Sequence, residues 1–319
     1  MANAGPRQAA PYVLVTAARD EAKYIERTIE SVVAQTMRPL KWVIVSDGSS
    51  DGTDNIVAAH AAQHDWIELV STPHRVGRHF AGKAQAFNLG TARLKRLAYD
   101  FIGNLDADVS FDSNYFELLL DKLAEDPVLG VVGTCFKDRT LKYDYRFVSI
   151  GHVSGPCQLF RRRCFEEIGG YMPSKLGGVD HIAVITARMK GWRTRTFTDT
   201  CFYHNRPMGS CEHGVLAARF RTGTVDYALG SHPLWEVCRT AYQATKPPYV
   251  AGALMLFAGF VSAGIRRIER QVSDEFVSFH RNEQMQRLRM FLTRGDVPAS
   301  DDRRAELGVN RQFQTHKAR

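Results

Sequence analysis

Short apolar runs alternate with stretches of helical spacing over the first 135 residues, and this rhythm most constrains what the chain can fold into. Tyr12 to Thr16 reads as a strand, and Glu21 to Thr36 then places Ile25, Ile29, Val32 and Val33 on one helical face. Trp42 to Ser46, Ile67 to Val70, Tyr99 to Leu105 and Val128 to Cys135 read as further strands. Helices are expected between them, over Thr53 to His64, Ala81 to Ala98 and Phe111 to Glu125. Strand-helix alternation of this kind predicts an α/β fold: a Rossmann-like, mostly parallel central sheet with helices on both faces. Ligands of such sheets bind outside the carboxyl ends of the strands.

Acidic segments fall on those ends. Arg19-Asp20-Glu21 follows the first strand, Asp47-Gly48-Ser49-Ser50-Asp51-Gly52-Thr53 the second, and Asp106-Ala107-Asp108 the Tyr99 to Leu105 run. Side chains two apart along a strand point the same way, so Asp106 and Asp108 could offer oxygens to one hard divalent cation holding a diphosphate. Asp47 could accept hydrogen bonds from a nucleobase or ribose, and its glycine turn lets a ligand approach the backbone. Asp51 or Thr53 could cap the helix that follows.

Composition narrows the partners. Of 319 residues, 44% are hydrophobic and 24% charged, which supports a real core. The net charge of +8 suits phosphate-bearing ligands or an anionic lipid surface. No aromatic-interleaved basic segment or zinc finger is present, which argues against nucleic acid. The cysteines Cys135, Cys157, Cys164, Cys201, Cys211 and Cys238 contain no Cys-x-x-Cys pair, so free thiols in a reducing compartment are expected. Residues 1–11 are polar and Ala-rich, without a signal-like apolar stretch, and are expected to be flexible ahead of a cytoplasmic domain.

Beyond residue 235 the character changes. Tyr249 to Ile265 is uncharged and mostly apolar, at the short limit of the ~17–25 residues a spanning helix needs. Arg266, Arg267 and Arg270 follow it and would have to cross from a cytoplasmic start, so an interfacial helix is expected instead. Phe276, Val277, Phe279, Met285, Leu288, Met290, Phe291 and Leu292, interleaved with Arg281, Arg287, Arg289 and Arg294, read as a basic amphipathic segment. Packing of these helices on the main domain, or on a second copy in a homo-oligomer, is the alternative.

The run Val13 to Ile25, Gln35, Asp47 to Thr53, Lys83 with Asn88, and Asp106-Ala107-Asp108 resemble, in order and spacing, the family 2 glycosyltransferases. The resemblance covers about residues 12 to 230 and implies a GT-A fold. It also implies a nucleotide-diphosphate sugar donor, Mg2+ or Mn2+, and inversion at the anomeric carbon. Ala17, Arg19, Glu21 and Asp47 would line the nucleoside site, with Lys83 near the donor. Asp106 and Ala107 would lie at ribose or metal, and Asp108 would ligate the metal. Ala17 stands where the family often has Pro, and Asp20 where Asn is usual.

Downstream, Gly155 to Arg162 and Phe165 to Tyr171 resemble the wall of the family's sugar pocket. Asp180 matches the aspartate of its Glu-Asp motif, with Val179 in place of the usual acid. An inverting transfer needs a carboxylate opposite the leaving diphosphate, which makes Asp180 the candidate base. His204 falls where relatives place a histidine near metal or diphosphate, and His181 reads as a surface or acceptor-site neighbour. Arg206, Arg219 and Arg221 could bind phosphate oxygens.

These expectations divide the chain into a glycosyltransferase domain over 12–235, with nucleotide-binding (12–110) and acceptor (111–235) halves, and a helical region over 236–319 that associates with a membrane or packs on protein. The acceptor would be a saccharide or lipid-linked sugar in cell-surface polysaccharide or glycolipid assembly, met at the inner face of the membrane. A sugar-nucleotidyltransferase and a non-catalytic sugar-nucleotide scaffold are the alternatives. Arg19-Asp20-Glu21-Ala22 lacks the glycine that a triphosphate-cradling loop needs, which argues against the first.

Overall fold

The computed structural model describes residues 10–73, 81–137, 149–206 and 214–294. Residues 1–9 of the N-terminal stretch, Cys211 and residues 295–319 lie outside the described residues. The first half runs β1 (Tyr12–Ala18), α1 (Ile25–Val33), β2 (Lys41–Ser46), α2 (Thr53–Ala61), β3 (Ile67–Ser71), α3 (Ala81–Leu94), β4 (Phe101–Leu105) and β5 (Val109–Phe111). The chain continues through α4 (Tyr115–Glu125), β6 (Leu129–Lys137), β7 (Cys157–Arg161), α5 (Arg162–Glu167), α6 (Val179–Met189) and β8 (Arg193–His204). Four helices close it: α7 (Gly214–Ala228), α8 (Pro233–Gln243), α9 (Tyr249–Ile265) and α10 (Asp274–Arg294).

The apolar runs of β1, β2 and β4 are nearly continuous because helices cover both faces of the sheet. Alternate residues divide between two cores. Tyr12, Leu14, Trp42 and Ile44 meet Ile25, Ile29 and Val32 of α1 on one face. Val13, Val15, Val43 and Val45 meet Phe87 and Leu94 of α3 on the other.

All eight strands form one sheet in the order β3-β2-β1-β4-β7-β6-β8-β5. Four of its seven pairings are parallel and three antiparallel, so the sheet is mixed. Two strands run against the rest: β5, paired with β8 at the edge, and β7, which follows β6 with no helix between them among the described residues. A strand that enters without a helical crossover is free to run antiparallel. Among the described residues, Cys135, Cys157, Cys164, Cys201 and Cys238 form no disulfide.

The C-terminal helices build a second layer. Arg219 of α7 lies against Gly252 of α9 and Tyr227 against Gly264, so the two helices run parallel, linked by α8. The first half of α10 packs into the protein: Phe276 and Phe279 join Ile182, Ile185 and Leu229 in a third core. Glu283 takes Arg188 of α6 in two bonds of 2.6 and 2.9 Å. This corrects the expectation of a membrane segment for that half of the helix; the sequence pattern is the same whichever apolar partner covers it. No described helix is long and apolar enough to cross a membrane.

One buried acid sets a stability prediction. Glu236 of α8 is fully buried, and neither carboxylate oxygen has a hydrogen-bond partner among the described residues. Arg239 lies 4.0 Å away and pairs more closely with Asp226 of α7. Burial, then the Asp226 charge, push the Glu236 carboxyl up to about 7. The folded state therefore prefers the protonated acid, and this contribution, full below the usual carboxylate range, is lost as pH rises through about 7. Glu236→Gln is expected to raise Tm at pH 8 by about 5 °C, a gain on the order of 2 kcal/mol, and to flatten the fall between pH 6 and 8. Thermal melts across that range test it, and an unchanged slope would refute it.

Candidate active site

The loops leaving β1 and β2 are laced into one rim. Asp20 sits at φ 52, a left-handed conformation that Asp and Asn tolerate better than most residues, which accounts for an Asp at this position. Its carboxylate accepts the Ser50 N–H at 2.8 Å, while the Glu21 N–H donates to the Thr53 hydroxyl and the Ala22 N–H to Asp51, both at 2.9 Å. Asp51 also accepts the Thr53 N–H at 3.1 Å, so it ends the turn into α2 and ties the loops together. At this rim the Arg19 guanidinium stands 3.9 Å from Asp47, and the Thr72 hydroxyl 3.5 Å from it. Ala17 lies near the end of β1, in register with Val45 of β2.

Asp106 and Asp108 part company. β4 stops at Leu105, so the acidic triplet is a turn into β5 and the same-face geometry expected along a strand does not hold. Asp106 meets the Lys83 ammonium at 2.5 Å, and its N–H donates to the Pro156 carbonyl at 2.8 Å. Ala107 is buried in the core, its carbonyl accepting the Thr28 hydroxyl at 2.8 Å. Asp108 faces Arg206 Nε at 3.1 Å and His204 Nδ1 at 3.9 Å. The same guanidinium pairs with Glu21 and lies 5.2 Å from the centre of the Tyr24 ring. Arg206 thereby joins the β1 loop to the far end of β8.

Burial, then the neighbouring Asp106 charge, raise the Asp108 carboxyl above its ordinary value, and His204, Arg206 and Lys83 oppose them. Desolvation works against the Lys83 ammonium, but the charges of Asp106, Asp180 and Asp108 outweigh it and raise its pKa. Asp108 is thus a carboxylate in need of positive charge, beside an imidazole whose Nδ1 lies 3.1 Å from the Arg206 carbonyl. If Nδ1 carries the proton in that contact, Nε2 keeps the lone pair. An oxygen and a nitrogen donor of this kind fit a hard or borderline divalent cation. The described residues bring no three such donors together, so diphosphate oxygens and water would complete the shell.

Asp180 stands across from this cluster. It is the second residue of α6, and the N-cap is Gly178 with no side-chain capping bond, which removes helix capping as its role. Its carboxylate rests on Gly155, where any Cβ would collide with it. Gly155 is itself anchored: Asn104 of β4 donates to its carbonyl at 2.7 Å, and the next carbonyl, Pro156, takes the Asp106 N–H. The candidate base and the acidic turn therefore hang from one short seam. Tyr171 closes the wall, with its hydroxyl on Gln158 and its carbonyl taking Asn88 at 3.2 Å.

Several residues take places that the sequence did not indicate. Gln35, part of the family-like pattern, is structural: it accepts the Phe116 N–H at 3.0 Å and donates to the Asp112 carbonyl at 2.8 Å. His181 is half-buried, its ring packing between those of His152 and His280, 5.2 and 5.7 Å away between centres. Arg219 and Arg221 belong to the helical layer, donating to the carbonyls of Pro247 and Leu176 at 3.3 and 3.4 Å. Asn104 was missed, and Gly155, read only as part of the pocket wall, proves to be the seat of Asp180.

Residues 13–169, which contain the rim, Lys83, the acidic turn and Gly155, match the family model described as Glycosyl transferase family 2. They form a family 2 glycosyltransferase domain. Poly-beta-1,6-N-acetyl-D-glucosamine synthase of Staphylococcus aureus is 31% identical over 113 residues, 35% of this chain and 25% of the relative. Chondroitin synthase of Escherichia coli is 33% identical over 131 residues, 41% of this chain and 18% of the relative. The chain thus spans a quarter or less of these curated relatives.

Solved structures share the fold of this family 2 domain together with the regions that follow it. The mannosyltransferase PcManGT from Pyrobaculum calidifontis, in complex with GDP-Man and Mn2+, superposes with a TM-score of 0.53 at 21% identity, over 99% of this chain and 88% of its own. S. aureus TarS 1–349 in complex with UDP-GlcNAc gives 0.51 at 14% identity, over 86% of this chain and 81% of its own. The architecture is of the GT-A type.

Proposed function

We propose that the chain transfers a sugar from a nucleoside-diphosphate sugar to an acceptor hydroxyl, with inversion and with Mg2+ or Mn2+ bound. One observation carries the reading: Asp180 rests against Gly155, and the adjoining Pro156 carbonyl holds the N–H of Asp106, the partner of Lys83, so base-side and donor-side groups share one seam. Arg19, Glu21 and Asp47 would hold the nucleoside, with Ala17 and Ala107 as backbone wall. Lys83 and Arg206 supply positive charge for the diphosphate, and Asp106 orients Lys83. Asp180 takes the proton of the attacking hydroxyl from the side opposite the leaving group. Asp108 and His204 would hold the cation, which when bound stabilises charge growing on the departing diphosphate.

Residues 12–235 serve as the catalytic unit in this reading, and α9, within residues 236–319, as the attachment element. The acceptor is a saccharide or lipid-linked sugar of cell-surface polysaccharide or glycolipid assembly, met at the cytoplasmic surface of the membrane. Synthases of poly-N-acetylglucosamine and chondroitin among the relatives support a saccharide acceptor. The complexes of fold neighbours with GDP-Man and UDP-GlcNAc support a sugar-nucleotide donor.

A panel of UDP-, GDP- and dTDP-sugars, each incubated with Mn2+, Mg2+ or chelator, tests the reading. Release of the nucleoside diphosphate from one donor class, dependent on added metal, is the expected result. Tight nucleotide binding with no turnover of any donor or acceptor would instead favour the scaffold.

A further inference from the structure

α9 is built inside out. The residues buried on its inner side are Gly252, Ala253, Leu256, Gly259 and Ala263, four of the five small. At that face the α7 and α9 backbones touch: a Cβ on Gly223 would strike the Leu256 carbonyl, and one on Gly259 the Phe220 carbonyl. Thr224 also donates its hydroxyl to the Gly259 carbonyl at 3.4 Å. The bulky apolar residues point the other way. Val250, Leu254, Phe257, Val261 and Ile265 recur every three or four positions along one helical stripe and are between 37% and 78% exposed.

A helix packed on a water-soluble domain turns its large apolar residues inward. Small residues in backbone contact, with Leu, Phe and Ile facing out, are the arrangement of helices whose surroundings are themselves apolar. The stripe spans about 22 Å at the rise of an α-helix, too little to cross a bilayer but enough to lie along one. α9 carries no charged residue, and exposed Arg266 and Arg267 follow its last turn. Val215 and Leu216, at the start of the neighbouring α7, are exposed as well.

We propose that the Val250–Ile265 stripe of α9 lies flat in an anionic lipid surface, with Arg266 and Arg267 at the lipid phosphates. This rests on the peripheral-membrane part of the reading above and adds the face, the orientation of the helix and the lipid charge. A helix lying in the interface buries its apolar side at acyl-chain depth while cations at its end meet headgroups.

The test uses the full chain, sedimented with vesicles of phosphatidylcholine alone and of phosphatidylcholine mixed with phosphatidylglycerol. The protein is expected to partition onto the mixed vesicles, and Leu254→Gln and Ile265→Gln each to weaken that partition about tenfold. The double change Arg266→Glu, Arg267→Glu is expected to weaken binding to the mixed vesicles only. All four side chains are exposed, so melting temperature and donor hydrolysis should stay at wild-type values. Vesicle binding untouched by Leu254→Gln and Ile265→Gln would overturn the face while leaving the membrane reading standing. No binding to either vesicle would overturn both. A dimer that Leu254→Gln converts to monomer, with no vesicle binding lost, would assign the stripe to a second copy of the chain and overturn the proposal. Donor hydrolysis, measured without lipid, reports on the transferase reading separately.

Discussion

Asp180→Asn is expected to lower the transfer rate by about three orders of magnitude, the middle of the range for loss of a general base, while donor affinity stays near wild type. The substitution keeps the shape of the side chain resting on Gly155 and removes only its capacity to take a proton. Steady-state transfer and nucleotide titration measured side by side separate the two effects. Wild-type turnover with an unshifted acid limb in the pH profile would dismiss Asp180 as the base. Gly155→Ala supplies an independent arm. Its methyl group must displace the Asp180 carboxylate, and a shift of about 1 Å at a catalytic group costs up to a hundredfold in rate. A loss in kcat for both variants, without a loss of donor binding, is the signature of a base held by the Asn104–Gly155 seam.

Asp108→Asn is expected to abolish metal-stimulated turnover, a loss of at least about a hundredfold that added Mn2+ or Mg2+ does not restore. Asp106→Asn should act more mildly and chiefly on KM, because its partner is Lys83. Calorimetry of Mn2+ in the presence of UDP or GDP gives a readout apart from activity: the Asp108 variant should lose the metal-dependent increment in nucleotide affinity. Full activity of Asp108→Asn, or of the wild type in chelator, would remove the metal from the reading. The pH dependence carries a sign as well. Burial and the Asp106 charge raise the metal-free Asp108 carboxyl, so protons should compete with Mn2+ for it, and the acid limb of Mn2+ binding should lie at a higher pH than an ordinary aspartate would set. Asp106→Asn removes one of those two causes and is expected to move that acid limb downward.

Much of the fold was legible because it depends on periodicity. β1, β2 and β4 are apolar throughout since helices cover both faces, and α1 shows the spacing of a one-sided helix. Asp47 and the acidic turn could be placed at one edge for the same reason: in a sheet with β1, β2 and β4 parallel, residues after each strand share an end. Strand direction beyond β4 was not legible, because an apolar run reads the same whichever way it pairs. Ion pairing was equally silent. Glu21 and Arg206 are 185 positions apart, and only the fold brings the guanidinium between Glu21 and Asp108.

By itself the sequence determined the alternation of strands and helices up to β6, apart from the short β5, together with the acidic segments at the strand ends and the apolar character of α9. These follow from local pattern: hydrophobic spacing, turn residues and the absence of charge are properties of neighbouring positions. Tertiary structure alone decided that Asp106 turns to Lys83 while Asp108 turns to Arg206 and His204, that Gly155 seats Asp180, and that α9 faces α7 with its small residues. Those outcomes depend on which distant atoms arrive next to a side chain, and a one-dimensional pattern holds no record of that. Gln35 and Asp180 show the difference, since both belong to the family-like pattern, yet Gln35 is held inside by the α4 backbone and Asp180 is left facing the Lys83 cluster.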